Sequence, residues 1–132
     1  MTNQTFLQDK TTLILGSTGK TGRRVVQRFQ AAGLPYREGS RQAALPFDWQ
    51  QPEQWDAVLQ GIEQVYLVFY PDLALPGAAD CIRGFLARAE AAGVRKIVML
   101  SGRGEPEAEA CEALLQQSAL TWTIVRASWF NQ

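Results

Sequence analysis

Apolar positions along the chain alternate between two kinds of pattern. Short unbroken apolar runs mark strands covered on both faces. Between them lie longer stretches in which apolar residues recur every three or four places, the mark of helices with one buried stripe. The first run, TLILG at 12–16, ends on glycine. KTGRRVVQRFQAAG follows, with Val25, Val26, Phe29 and Ala32 on one stripe and Gly33 as its stop. LPYREGSR predicts a second strand opened by Pro35, and LPFDW a brief third. PEQWDAVLQG predicts a helix with Pro52 near its first turn and Gly61 at its end. EQVYLVFYP predicts a fourth strand closed by Pro71. GAADCIRGFLARAEAAG predicts a helix through Ile82, Phe85, Leu86 and Ala89, capped by Gly93. RKIVMLSG is a fifth strand, EPEAEACEALLQQS a helix with an acidic start that suits its dipole, and LTWTIVR a sixth strand.

Strands that alternate with helices predict an α/β fold: a doubly wound, mostly parallel sheet of about six strands, right-handed crossovers and helices on both faces. Neither a solenoid-length repeat nor a low-complexity linker interrupts it, so residues 1–132 read as one domain. Six strands complete a domain of this kind, and the expectation is that the chain is the N-terminal part of a longer protein whose substrate-covering region lies beyond it.

Composition narrows the chemistry. Thirteen basic residues balance thirteen acidic ones, which leaves no single-signed field for a nucleic-acid backbone. The apolar runs are far shorter than a bilayer span, and the N-terminus lacks the basic start and apolar run of a signal peptide. These features predict a cytoplasmic protein without nucleic-acid or membrane partners. The two cysteines, Cys81 and Cys111, fall in predicted helices and read as thiols rather than a disulfide or a metal site. The chain has no histidine, which removes Ser-His-Asp and Cys-His catalysis, histidine-ligated zinc and imidazole as a base. No metal is expected, and any chemistry rests on another side chain or a bound cofactor.

The candidate for that cofactor is GSTGKTG at 16–22, between the first strand and the first helix. Its G-K-T suggests a nucleotide-triphosphate P-loop, but the full motif G-x-x-x-x-G-K-[ST] needs glycine at the position of Ile14, and the fourth strand offers only Asp72, beyond a proline, as a Walker B acid. The spacing G-x-x-G-x-x-G fits a dinucleotide turn instead, as in a Rossmann-like domain. Gly16 permits the tight turn, Gly19 lets the backbone approach a pyrophosphate, and Gly22 lets the helix pack on the strand. Ser17, Thr18, Lys20 and Thr21 complete the turn, and the helix N-terminus faces the phosphates. A glycine-rich turn without a ligand is the bland alternative. At the end of the second strand, GSR places Ser40 and Arg41 where an acid would select NAD and an arginine accommodates the 2′-phosphate of NADP. Glu38 lies too deep in the strand to reach the ribose. NADP is therefore expected over NAD, with a solvated loop arginine as the alternative for Arg41.

Together, LILGSTGKTGRRVV, GSR, FDW, VYLVFYP, RKIVMLS and CEALLQQSALTWTIVRASWF resemble the NmrA-like branch of atypical short-chain dehydrogenase/reductase proteins, from Thr12 onward. FDW with VYLV is most similar to the subgroup of clavine dehydrogenases and their bacterial relatives. The resemblance implies that Thr18, Gly19, Lys20 and Thr21 line the pyrophosphate turn and that Ser40 and Arg41 hold the 2′-phosphate. It further implies that Asp48 and Trp49 flank the adenine, that Phe69, Tyr70 and Pro71 pass beneath the cofactor's centre, and that Ser101 and Gly102 end the fifth strand near the nicotinamide. Core packing is the competing reading for Trp49, Phe69 and Tyr70.

The departure from the family lies in the helix after the fifth strand. Related dehydrogenases carry a proton-donating tyrosine and a lysine there, spaced Y-x-x-x-K, where this chain has residues near Glu105 and Glu109. Glutamate donates protons poorly at neutral pH unless burial raises its pKa. The simpler reading makes Glu105, Glu107, Glu109 and Glu112 a solvated helix start. The catalytic residues are thus unknown. Two functions remain: an NADPH-dependent oxidoreductase delivering hydride to a small organic acceptor, quinone- or imine-like, without the Tyr-Lys dyad; or a non-catalytic NADP(H)-sensing protein. Trp129 and Phe130 are expected to wall an acceptor or to drive association with another chain, giving a homo-oligomer.

Overall fold

The computed structural model describes residues 11–17, 19–68, 77–102 and 106–127. Phe69, Tyr70, Pro71, Thr18, Glu105, Trp129 and Phe130 lie outside these. Strand β1 is Thr11–Leu15, α1 Lys20–Ala32 and β2 Tyr36–Gly39. A 3-10 turn at Pro52–Gln54 leads into the short α2, Trp55–Leu59. Strand β3 is Ile62–Val68, α3 Ala78–Ala92, β4 Lys96–Gly102, α4 Pro106–Gln117 and β5 Thr121–Ala127.

The five strands form one sheet in the order β2-β1-β3-β4-β5, and every pairing is parallel. The chain steps from β1 to β2 in one direction, then returns past β1 to β3 and continues outward. Right-handed crossovers therefore set α1 on one face and α2, α3 and α4 on the other. Alternation along the strands follows. Leu13, Leu15, Val65, Leu67, Ile97 and Met99 join Phe85 and Leu115 in the main core, while Ile14, Val26, Val68 and Leu100 are buried outside that cluster. The reversal of direction at β1 creates a crevice between the C-terminal ends of β1 and β3, the place where such sheets receive ligands.

The expected third strand does not form: residues 45–49 make no ladder, and the described sheet has five strands rather than six. Phe47 and Trp49 turn into the α2–α3 layer and join Trp55 and Phe85. All six pairs among these four rings have centroids within 6.0 Å. The Trp55 indole N–H donates to the Asp48 carbonyl at 3.0 Å, and the Phe47 N–H donates to the Ser40 carbonyl at 2.9 Å. Pro46 has no N–H for a ladder. Burial of two large rings, worth about 1.5–3 kcal/mol each, outweighs the few hydrogen bonds a strand this short would make. Arg37 fixes the other end of the segment. Its guanidinium donates to the Val58 and Gln60 carbonyls at 2.6 and 2.7 Å, tying β2 to the C-terminus of α2.

Candidate dinucleotide site

The turn after β1 is built around one carbonyl. Gly16 leaves the strand with φ 66°, a left-handed conformation that favours glycine. Its N–H donates to the Gly39 carbonyl at the end of β2, and its own carbonyl accepts the Gly19 N–H, both at 3.0 Å. A Cβ on Gly22 would overlap the Gly16 carbonyl oxygen and stand 2.6 Å from its carbon; one on Gly19 would stand 3.3 Å from the same oxygen. The first turn of α1 thus rests directly on the end of β1. Gly39 meets a related demand, because a Cβ there would lie 2.6 Å from Leu15 Cδ2.

The start of α1 is suited to an anion. Its N-cap is Gly19, which offers no side-chain cap, and its first turn holds no acid; α2 and α3 instead carry Asp56 and Asp80 in theirs. The N–H groups of a first helical turn have no acceptor within the helix. The positive end of the helix dipole there favours an anion. Ser17 is buried, and its Oγ has no hydrogen-bond partner among the described residues. An orphaned hydroxyl, glycines cleared of Cβ atoms and uncapped amides together fit the diphosphate of a dinucleotide. Thr21 is half-buried in that first turn.

At the tip of β2, Ser40 organises the loop that follows. Its Oγ accepts the Gln42 N–H at 3.2 Å. Arg41 is exposed and has no hydrogen bond or ion pair among the described residues, so its guanidinium is open to a ligand. Asp48 accepts the Gln50 N–H at 2.9 Å. Trp49, 7% exposed, is packed in the aromatic cluster. The structure therefore brings Gly16, Ser17, Gly19, Gly22, Ser40 and Arg41 to the C-terminal rim of β1 and β2, with Asp48 and Trp49 farther along the same loop.

Ser101 and Gly102 end β4 on the other side of the crevice. Ser101 is fully buried, and its hydroxyl has no hydrogen-bond partner among the described residues. Its neighbour from α4 corrects the sequence reading. Glu109 is exposed, as expected of a solvated helix start, but Glu112 is only 4% exposed. Arg126 of β5 donates from Nε to both Glu112 oxygens at 3.1 and 3.2 Å and from Nη2 to Oε1 at 2.8 Å. Those hydrogen bonds hold the Glu112 carboxyl below its ordinary range against the opposing effect of burial, with a smaller contribution from Ser101. The signal was present in the sequence. Glu112 shares an inward stripe with Ala108, Cys111 and Leu115, and an arginine follows on the next strand. Among the described residues no group of side chains could hold a metal ion, and no helix is long and apolar enough to cross a membrane.

A carboxyl whose native pKa is depressed contributes stability above the ordinary carboxylate range and loses it as pH falls through the native value. Thermal unfolding should therefore show the wild type losing more stability than Glu112→Gln between about pH 6 and pH 3. Equal losses would mean that the pair adds nothing to the folded state.

No protein-family model matches the chain. It is 29% identical over 143 residues to the NAD(P)H azoreductase of Xenophilus azovorans, covering 91% of this chain and 48% of that protein. It is 27% identical over 137 residues to the agroclavine dehydrogenase of Claviceps purpurea, covering 92% and 47%. Among solved structures, the NADPH-dependent quinone oxidoreductase QOR2 of Escherichia coli, complexed with NADPH, superposes with a TM-score of 0.77 at 21% identity, over 91% of this chain and 49% of that one. The chain thus spans about half the length of the curated relatives it matches. In sequence the chain is thus similar to NAD(P)H-dependent reductases over part of their length, and its parallel α/β sheet has the Rossmann-like fold of the solved structures it superposes on.

Proposed function

We propose that residues 1–132 are the dinucleotide-binding domain of an NADPH-dependent oxidoreductase that reduces a small organic acceptor of quinone or imine type. One observation carries this reading: the α1 N-terminus, uncapped, acid-free and basic, pressed onto the end of β1 beside an orphaned Ser17 hydroxyl. An azoreductase and a quinone oxidoreductase among the similar proteins support it. The amides of Lys20 and Thr21 take the diphosphate, helped by the helix dipole. Ser40 and Arg41 take a 2′-phosphate, the group that separates NADPH from NADH. Phe69, Tyr70 and Pro71, which follow β3 in sequence, are assigned the cofactor's middle. Ser101 and Gly102 are assigned its nicotinamide end.

The chemistry such a cofactor supplies is two-electron reduction by hydride, and the protein contributes binding and orientation. Helix α4 contains neither tyrosine nor lysine. A side-chain dyad therefore cannot deliver a proton from there, and the acceptors that suit the site are those needing little enzymatic proton donation. The same absence favours the second reading, a protein that binds NADP(H) to sense its redox state.

Following NADPH absorbance with a panel of quinones and imines separates the two: turnover supports the reductase, and tight binding without turnover supports the sensor. Failure to bind NADPH would overturn both. Two substitutions test the geometry by calorimetry. Arg41→Ala should weaken NADPH roughly ten- to a hundredfold while changing NADH little, since a charge-assisted contact is worth about 1.5–3 kcal/mol. Gly22→Ala should instead weaken NADPH and NADH together, because the added methyl displaces the turn that both share. Equal loss of both cofactors in Arg41→Ala would show the 2′-phosphate to be misplaced.

A further inference from the structure

The two edges of the sheet are finished differently. Strand β2 has four residues and follows Pro35, and its Arg37 is tied to the carbonyl oxygens of Val58 and Gln60. Proline, charge and shortness are common protections of an edge. Strand β5 has seven residues, TWTIVRA, and Arg126 is its one charge. Among the described residues it pairs with β4 alone. Trp122 and Val125 are 41% and 44% exposed, and Ile124 between them is half-buried. The outer side of β5 is thus long and apolar, the kind of edge that recruits another strand.

The backbone shows which groups that strand would meet. The Thr121 N–H donates to the Arg95 carbonyl at 3.0 Å, on the β4 side. Peptide groups alternate in direction along a strand, so those of Thr123 and Val125 also face β4, and those of Trp122, Ile124 and Arg126 face outward. Ile124 is the midpoint of β5. Trp122 and Arg126 lie two residues to either side of it, on the same face. An antiparallel copy of β5 centred on Ile124 therefore sets the two Ile124 residues opposite each other, and Trp122 of each chain opposite Arg126 of the other. In that register every outward N–H and C=O of the three residues finds a partner. The Arg126 guanidinium is 55% exposed and steadied by Glu112 through Nε and Nη2, which sets it to lie against the facing indole.

We propose that β5 is a self-pairing edge: two copies of the chain join antiparallel about a twofold axis at Ile124, making one continuous sheet with a Trp122–Arg126 contact on either side of the axis. The symmetry of these groups about Ile124 favours a second copy over an unrelated strand. The crevice at β1 and β3 lies two strands inward from this edge, so the pairing stands apart from the dinucleotide reading.

The test uses sedimentation of the whole chain at rising concentration, with amide exchange followed residue by residue by NMR and thermal unfolding recorded in parallel. A monomer–dimer equilibrium is expected. The Trp122, Ile124 and Arg126 amides should gain protection as the dimer forms, while those of Thr123 and Val125 stay protected throughout. Trp122→Lys sets like charges opposite each other at two places and should weaken dimerisation about tenfold or more. Trp122→Glu offers Arg126 an opposite charge and should weaken it by less than about threefold. A monomer at every concentration, a dimer in which the Trp122, Ile124 and Arg126 amides exchange freely, or equal losses in the two variants would each overturn the proposal. Protection of those three amides in a monomer would overturn it too, because another part of the same chain would then cover the edge. Should Trp122→Lys fail to fold, the exchange pattern of the wild type decides alone.

Discussion

The contact between the Gly22 backbone and the Gly16 carbonyl governs the rest of the site. With no Cβ between them, the first turn of α1 sits on the end of β1, and its amides open toward the crevice where the sheet reverses direction. A side chain at residue 22 would push the helix off the strand and turn those donors aside. The same helix end carries neither a side-chain cap nor an acid, so its dipole favours a bound anion. Packing and electrostatics thus point to the same occupant.

The elements legible from sequence were those whose hydrophobic period agrees with their final environment. Strands β1, β3, β4 and β5 are apolar runs buried or paired in the sheet, and α1 and α3 end at Gly33 and Gly93 as their patterns imply. The LPFDW segment misled because its alternation is real: Phe47 and Trp49 both point inward. Alternation reports which side chains are buried, not whether a neighbouring strand is there to pair. Here the rings reach across to Trp55 and Phe85, partners that no local pattern reveals.

The glutamates of α4 misled for a different reason. By composition Glu109 and Glu112 look alike, and the dipole argument covers both. Their fates differ because the helix turns Glu112 onto the stripe of Ala108, Cys111 and Leu115, where only a paired charge is tolerable. The glycine turn was legible because its constraint is steric and local. Arg37, which caps α2 from β2, was not, since its partners Val58 and Gln60 lie more than twenty residues away.

The two ends of the crevice are held by unlike forces, an ion pair between a buried glutamate and a half-exposed arginine at β4 and β5 and packed aromatic rings beneath the loop after β2. The second has an optical consequence. Trp49 and Trp55 sit with centroids 5.7 Å apart in a nearly perpendicular arrangement, one on the loop and one on α2. Their indole transitions are close enough to couple, and both rings are shielded from water. Near-ultraviolet circular dichroism and intrinsic emission therefore carry a native signature from the docking of that loop, a label-free reporter already written into the chain.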